Sequence, residues 1–130
     1  MTTERGRHSE EIATRFLLRS GIIILYRNYR SPYGEIDIVG SGLAHVIFIE
    51  VRARRSAQFL RPIASISRQK QHRISSTAQY FLAHYVQWQM SPCRFDVIEL
   101  IAPGTAQQQL HWHKNAFELD ATYDDSQLWS

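Results

Sequence analysis

Two short runs of β-branched residues, 34–39 and 45–52, contain charged side chains of types that bind metal ions. The first run carries Asp37, and the second is apolar until it ends in Glu50 and Arg52. Both runs predict strands, and a short turn between them predicts a hairpin. A continuous apolar run is typical of a central strand covered on both faces, so charges at its end seldom serve packing. We therefore interpret these charges as candidates for chemistry.

The types of these side chains suit the hydrolysis of phosphodiester bonds. That reaction needs a nucleophilic water, neutralisation of developing negative charge and help for the leaving oxygen, which metal ions held by carboxylates supply. Hard divalent cations prefer oxygen ligands. We expect Asp37, Glu50 and the Val51 carbonyl to bind Mg²⁺ or Mn²⁺, and Arg52 to contact the scissile phosphate or orient the water.

Basic residues are concentrated beside this group of charges. The net charge is only +3, yet residues 52–94 contain eight Lys and Arg and no Asp or Glu. A basic stretch without acids attracts polyanions, although a solvated surface explains such a cluster equally well when it stands alone. Because the cluster begins at the carboxylates, we expect it to bind nucleic acid, and DNA in particular. The expected contacts are Arg54, Arg55, Arg61, Arg68 and Arg73.

The periodicity of the remaining sequence predicts the elements that position these residues. Helices are expected at 5–20 and 67–88, strands at 22–29, 34–39, 45–52, 94–101 and 110–119, and a basic loop at 54–65. Short turns join the first three strands into an antiparallel meander, and the long helix before the fourth strand implies a parallel neighbour reached by a right-handed crossover. We predict an α/β fold with a mixed central sheet flanked by helices, as one domain over residues 1–130 that ends in a loose acidic tail from residue 118.

Two groups on the predicted helices could join the carboxylates. Glu10 and Glu11 lie in the first turns of the first helix, where acids favour the helix dipole, and one of them could instead face the sheet. Lys70, near the start of the second helix, either points back toward the strand ends or lies along the core with its ammonium in water. The sequence leaves both alternatives open.

Length and composition restrict the class of protein. A chain of 130 residues can bury a core without staples, and the single cysteine, Cys93, excludes an internal disulfide. No run reaches the length of a membrane span or of the apolar core of a signal peptide. We therefore expect a cytoplasmic protein with no membrane partner, and the sequence leaves open whether it forms a homodimer.

Several blocks of the sequence resemble known nuclease families. Residues 34–37 followed by 48–52 resemble the Asp and Glu-x-Lys halves of the PD-(D/E)xK nuclease motif, in the form found in archaeal Holliday-junction resolvases. More closely, residues 6 to about 102 resemble the bacterial YraN-like family of predicted endonucleases. The blocks that carry this resemblance are Gly6-x-x-x-Glu10, residues 27–30, the hairpin, Ile66, Lys70 and residues 94–97.

The resemblance implies a restriction-endonuclease-like core and a set of site residues. It gives Glu10, Asp37 and Glu50 the place of the acidic cluster and makes Lys70 a position frequently used in the family. Arg52 stands where the superfamily motif has lysine. An arginine keeps the charge, but it does not lose its proton at ordinary pH and presents a broader fork.

Residues and resemblance together predict a metal-dependent endonuclease that acts on DNA, with branched or structured DNA as a candidate substrate. The alternative is a DNA-binding module whose nuclease site is degenerate and does not turn over. A purely structural or partner-binding domain would leave the basic stretch without acids unexplained.

Overall fold

In a computed structural model, the chain forms a five-stranded mixed sheet that is flanked by two α-helices. The structure describes residues 4–42, 44–56 and 66–118. The elements in chain order are α1 (Glu4–Arg19), β1 (Ile23–Ser31), β2 (Gly34–Gly42), β3 (His45–Arg54), α2 (Arg68–His84), β4 (Cys93–Ile101) and β5 (Gln109–Phe117). The predicted α/β fold class is therefore confirmed.

The strands follow one another across the sheet in the order β1-β2-β3-β4-β5. β1, β2 and β3 form the predicted antiparallel meander, and β3 pairs with β4 in parallel. α2 lies between these two strands in sequence, as a parallel connection requires. β5 pairs antiparallel with β4 and occupies the edge, as predicted.

Burial on both faces of β3 explains its continuous apolar run. Ile47 and Ile49 belong to the core layer beneath α1, whereas Val46 and Phe48 belong to the layer beneath α2. All four side chains are at most 1% exposed. Burial of each such side chain contributes roughly 1.5–3 kcal/mol, so β3 is held firmly and fixes the direction of the residues that follow it.

The structure differs from the sequence prediction mainly at the end of α2. We predicted this helix to Trp88, but it ends at His84, and a short 3-10 turn covers Val86–Trp88. Tyr85 leaves the helical conformation and its ring packs against Tyr26 of β1 at 5.4 Å, so a contact with the sheet accompanies the end of the helix before the periodicity stops. Most of the predicted basic loop, including Arg61, and nearly all of the acidic tail lie outside the described residues.

A fully buried carboxylate, Asp96, joins β4 to β5. It accepts two hydrogen bonds of 2.8 Å from the Arg94 guanidinium, one of 2.8 Å from Trp112 Nε1 and one of 2.9 Å from the Asn115 backbone N–H. These bonds offset the cost of removing the charge from water. The β4–β5 register shifts at this residue, so Asp96 supplies partners where the strand ladder is irregular. Its role is structural.

No helix in the described part of the chain is long and apolar enough to span a membrane.

Candidate metal and catalytic site

The candidate site lies where β2 and β3 separate. Their ladder ends at the pair Ile38–Ile49, and past this pair the Val51 backbone N–H donates to Asp37 Oδ2 at 2.8 Å. A side chain therefore takes the place that a strand carbonyl would otherwise fill. The separation leaves room between the strands for the carboxylates of Asp37 and Glu50.

Two clefts meet at Asp37 and Glu50, one beside each helix. The cleft beside α2 has a volume of about 230 Å³, and the cleft beside α1 has a volume of about 270 Å³. Within the described ranges, the remaining lining residues are Gly34, Glu35, Lys70, Arg73 and Ile74 beside α2, and Gly6, Ser9, Glu10, Val51 and Ala53 beside α1. The two carboxylates can therefore be reached from both sides of the sheet.

Lys70 points to the strand ends and contacts Glu50. Its Nζ lies 2.6 Å from Glu50 Oε1, with the Lys70 side chain 50% exposed and that of Glu50 10% exposed. α2 begins here because the Ser67 hydroxyl caps the helix by accepting a hydrogen bond from the Lys70 backbone N–H at 3.1 Å. The helix start thus fixes the backbone from which the ammonium reaches the site.

Burial, together with neighbouring carboxyl groups, raises the pKa of Asp37 to about 8. Burial is the largest cause, and the negative charges of Glu50 and Glu10 add to it. The Val51 N–H and the Lys70 ammonium act in the opposite direction. Asp37 therefore keeps its proton at neutral pH unless another cation enters the site.

Glu10 faces the site from α1, whereas Glu11 does not. The Glu10 side chain is buried, burial raises its pKa, and it interacts by hydrogen bonds with Asn28 and Asp37. Its Oε2 atom has no hydrogen-bond partner among the described residues. Glu11 instead forms an exposed ion pair with Arg27 at 3.0 Å. The structure thus resolves the alternative between the two acids in favour of Glu10.

The donor set suits one hard divalent cation. No three His, Cys, Asp or Glu side chains within residues 4–42, 44–56 and 66–118 are arranged to hold a metal by themselves. Asp37 and Glu50, with the Val51 carbonyl, supply oxygen donors only, and Mg²⁺ commonly keeps several waters beside one or two carboxylates. The raised pKa of Asp37 and the unpartnered Glu10 oxygen indicate that the Lys70 ammonium does not fully offset the carboxyl groups of the site.

Arg52 lies near these groups but is not among the lining residues of either cleft. It follows Glu50 by two residues on the same face of β3, half-buried, opposite Glu99 in the parallel register with β4. The Lys70 ammonium, which comes from α2, contacts Glu50.

The predicted DNA-binding arginines differ in their exposure to solvent. Arg73 is exposed and lines the cleft beside α2, and Arg68 is exposed in the first turn of the same helix. Arg55 is exposed at the end of β3. Arg54 is only 15% exposed and pairs through Nε with Glu99 Oε1 at 3.2 Å. Arg61 lies outside the described residues.

Sequence reasoning missed two polar residues near the carboxylates. Asn28 of β1 interacts with Glu10 although it lies in a strand with a positive φ of 53°. Ser9 is buried in the cleft beside α1, and its hydroxyl has no partner among the residues that the structure describes. Neither residue has a spacing signal, because each reaches the site through the packing of α1 and β1 on the sheet.

Known proteins resemble this chain along most of its length. The model of the uncharacterised protein family UPF0102 matches residues 9–100. A UPF0102 protein of Coxiella burnetii is 35% identical over 120 residues, which cover 92% of this chain and 97% of that protein. A UPF0102 protein of Pseudomonas entomophila is 42% identical over 113 residues, covering 87% and 92%. The matched residues include all the carboxylates and the lysine of the site, and the chain belongs to the uncharacterised protein family UPF0102, the YraN-like family that its sequence blocks predicted.

Proposed function

We propose that this protein is a metal-dependent endonuclease that hydrolyses phosphodiester bonds in DNA, with Asp37, Glu50 and Lys70 at its centre. One observation carries this proposal: an ammonium lies 2.6 Å from Glu50 at the point where Asp37 replaces a strand partner, between two open clefts. The arrangement has the acid, acid and cation that phosphoryl chemistry requires.

Asp37, Glu50 and the Val51 carbonyl would hold one Mg²⁺ or Mn²⁺. When bound, such an ion neutralises charge on the phosphoryl oxygens and lowers the pKa of a bound water. The crowded carboxyl groups favour its entry, because Asp37 otherwise has to bind a proton. Glu10 acts through Asp37, which it contacts, and is therefore a positioning residue.

Lys70 and Arg73 provide the positive charge on the α2 side. The Lys70 ammonium has three donors, so it can keep its bond to Glu50 while a second N–H orients the attacking water. Arg73 lines the same cleft with an exposed guanidinium, a group that binds a phosphate through two parallel hydrogen bonds. Both residues lie on α2, one turn apart, and would act on the same phosphate.

Lys70 in this proposal takes the role that the superfamily motif gives to a lysine two residues after the second acid. Arg52 stands at that motif position here, and it is not among the residues that line the clefts. An ammonium supplied by α2 would make the arginine at 52 compatible with turnover. Arg52 then contributes charge near the phosphate backbone and does not position the water.

A second candidate function is DNA binding without turnover. The ion pair between Lys70 and Glu50 favours it, because an ammonium already neutralises one of the two carboxylates and competes with a metal ion. A lysine that stays there permanently would make the site a structural ion pair within a basic surface.

Cleavage of branched, duplex and single-stranded DNA with Mg²⁺ or Mn²⁺ tests the proposal. Asp37→Asn should abolish cleavage, because the amide supplies no negative charge to the metal, and should leave the fold intact. Glu11→Gln is the matched control, since it removes an exposed acid from α1 that lies outside the site. If the wild-type protein binds DNA but cleaves no substrate, the nuclease proposal is wrong and DNA binding without turnover is the remaining function. Equal cleavage by Asp37→Asn and wild type would assign the activity to another protein or another site.

A further inference from the structure

A larger cavity lies beyond the cleft that runs beside α1. Its volume is about 620 Å³, and Ala53 forms a wall of both the cleft and the cavity. Among the residues that the structure describes, His8, Arg54, Arg55, Ala102, Pro103 and Thr105 also line the cavity. The two clefts also share Asp37 and Glu50. The three spaces therefore adjoin one another in a row that begins at Arg73, passes the two carboxylates and ends at Arg55.

The walls of this cavity combine positive charge with a firm apolar surface. Two guanidinium groups and one imidazole line it beside Ala53 and Pro103. Glu99 holds Arg54 at 3.2 Å and is itself 6% exposed, so this guanidinium has a fixed position. A fixed donor loses less side-chain entropy when a ligand binds than a mobile one does.

The turn that forms the opposite wall is also fixed by hydrogen bonds. The Ala102 backbone N–H donates to the Arg54 carbonyl at 2.7 Å, and the Thr105 hydroxyl donates to the Ala102 carbonyl at 2.8 Å. The turn is therefore bonded directly to the end of β3, and the folded backbone determines the shape of the cavity.

The size and chemistry of the cavity match one nucleotide. Pockets of about 300–1,000 Å³ hold small molecules, and the cavity lies within that range. Guanidinium groups bind phosphate oxygens, whereas a histidine ring and a proline offer surfaces on which a base can stack. A base that is paired within a duplex cannot enter such a cavity, because it first has to leave the helical stack.

We propose that this cavity binds one unpaired nucleotide of the DNA strand that crosses the carboxylates. The proposal rests on the nuclease function, because that function determines the path of the strand past the carboxylates. The substrate class that follows is DNA with an unpaired or readily extruded nucleotide beside the scissile bond. Fully paired duplex is a poor ligand because it must pay the cost of unstacking before the cavity is filled, whereas gapped, mismatched or single-stranded DNA is already open.

A binding experiment without divalent metal tests this inference separately from cleavage. The probes are fluorescein-labelled oligonucleotides of one sequence, prepared as single strand, as duplex with a central one-nucleotide gap, and as continuous duplex, all titrated in EDTA. Ala53→Leu narrows the opening between cleft and cavity, and Arg55→Ala removes an exposed charge from its wall. Ala83→Leu and Arg19→Ala, both exposed on helices away from the cavity, are the matched controls.

We expect wild type to bind single-stranded and gapped DNA about tenfold more tightly than continuous duplex. Ala53→Leu and Arg55→Ala should remove most of this preference, and both controls should keep it. Wild type without the preference, or Ala53→Leu and Arg55→Ala variants that retain it, would overturn the inference. Failure to cleave any substrate in Mg²⁺, with the preference intact, would remove only the nuclease proposal.

Discussion

Binding of a divalent cation should release a proton from Asp37. The pKa of this carboxyl is raised to about 8 by burial and by the neighbouring acids Glu50 and Glu10. At pH 7 Asp37 is therefore mostly protonated, and a metal ligand must lose its proton. We expect release of close to one proton per Mg²⁺ at pH 7, declining toward zero as pH rises past about 8, with apparent affinity rising by up to roughly tenfold per pH unit below that pH.

Isothermal titration calorimetry in two buffers of different ionisation enthalpy measures this number of protons directly. Glu11→Gln should release protons as wild type does, because Glu11 lies on the exposed face of α1. Asp37→Asn should show neither tight metal binding nor proton release. Tight binding of Mg²⁺ at pH 7 with no proton released would show that Asp37 is already ionised, and the argument from carboxyl crowding would be wrong.

The same carboxyl should make the metal-free protein less stable as pH rises. The pKa of Asp37 in the folded state lies above its ordinary value of 3.8, so between these values the folded protein binds more protons than the unfolded chain. The stabilising contribution is complete below about pH 4 and is lost as pH approaches about 8, with a slope of at most ~1.4 kcal/mol per pH unit. Urea denaturation in EDTA should show this slope in wild type and a smaller one in Asp37→Asn.

Three further perturbations test other parts of the molecule. Lys70→Met should lower kcat about 10²- to 10³-fold in a cleavage assay, whereas Arg52→Lys should change it only a few-fold, and the reverse order would return the catalytic role to position 52. Asp96→Leu should lower the free energy of unfolding in urea by about 3–5 kcal/mol, because Arg94 then loses its buried partner. Log affinity for duplex DNA should fall against log salt with a slope near −4, as about four phosphate contacts require, and a flat response would contradict binding by the basic surface.

The strands were predictable from sequence because their signals are local. Residues 46–49 are apolar without interruption, and β3 is indeed covered on both faces. The parallel pairing of β3 with β4 followed from the helix that separates them in sequence. The end of α2 was not predictable in this way, since Tyr85 leaves the helix where its ring meets Tyr26 of β1, a residue far away in the sequence.

For the candidate site, the sequence could bring together only what the predicted hairpin brings together. Asp37 and Glu50 adjoin the last pair of the β2–β3 ladder, Ile38–Ile49, and both line the same two clefts. The choice between Glu10 and Glu11 depends on the rotation of α1 over the sheet, which a stripe of apolar residues does not determine to one position. The pairing of Arg54 with Glu99 depends on the register between β3 and β4, which no local pattern encodes.

The close approach of Gly34 to α2 means that the contact between Lys70 and Glu50 can be lost without any change in either side chain. A Cβ at this position would lie 3.2 Å from the Arg73 Cβ and 3.5 Å from the Thr77 hydroxyl oxygen, so even alanine would push the helix and hairpin apart by tenths of an ångström. Lys70 is carried by the same helix, one turn before Arg73, and would move away from Glu50. The addition of one methyl group at the turn between β1 and β2 would therefore be enough to separate the Lys70 ammonium from the Glu50 carboxylate.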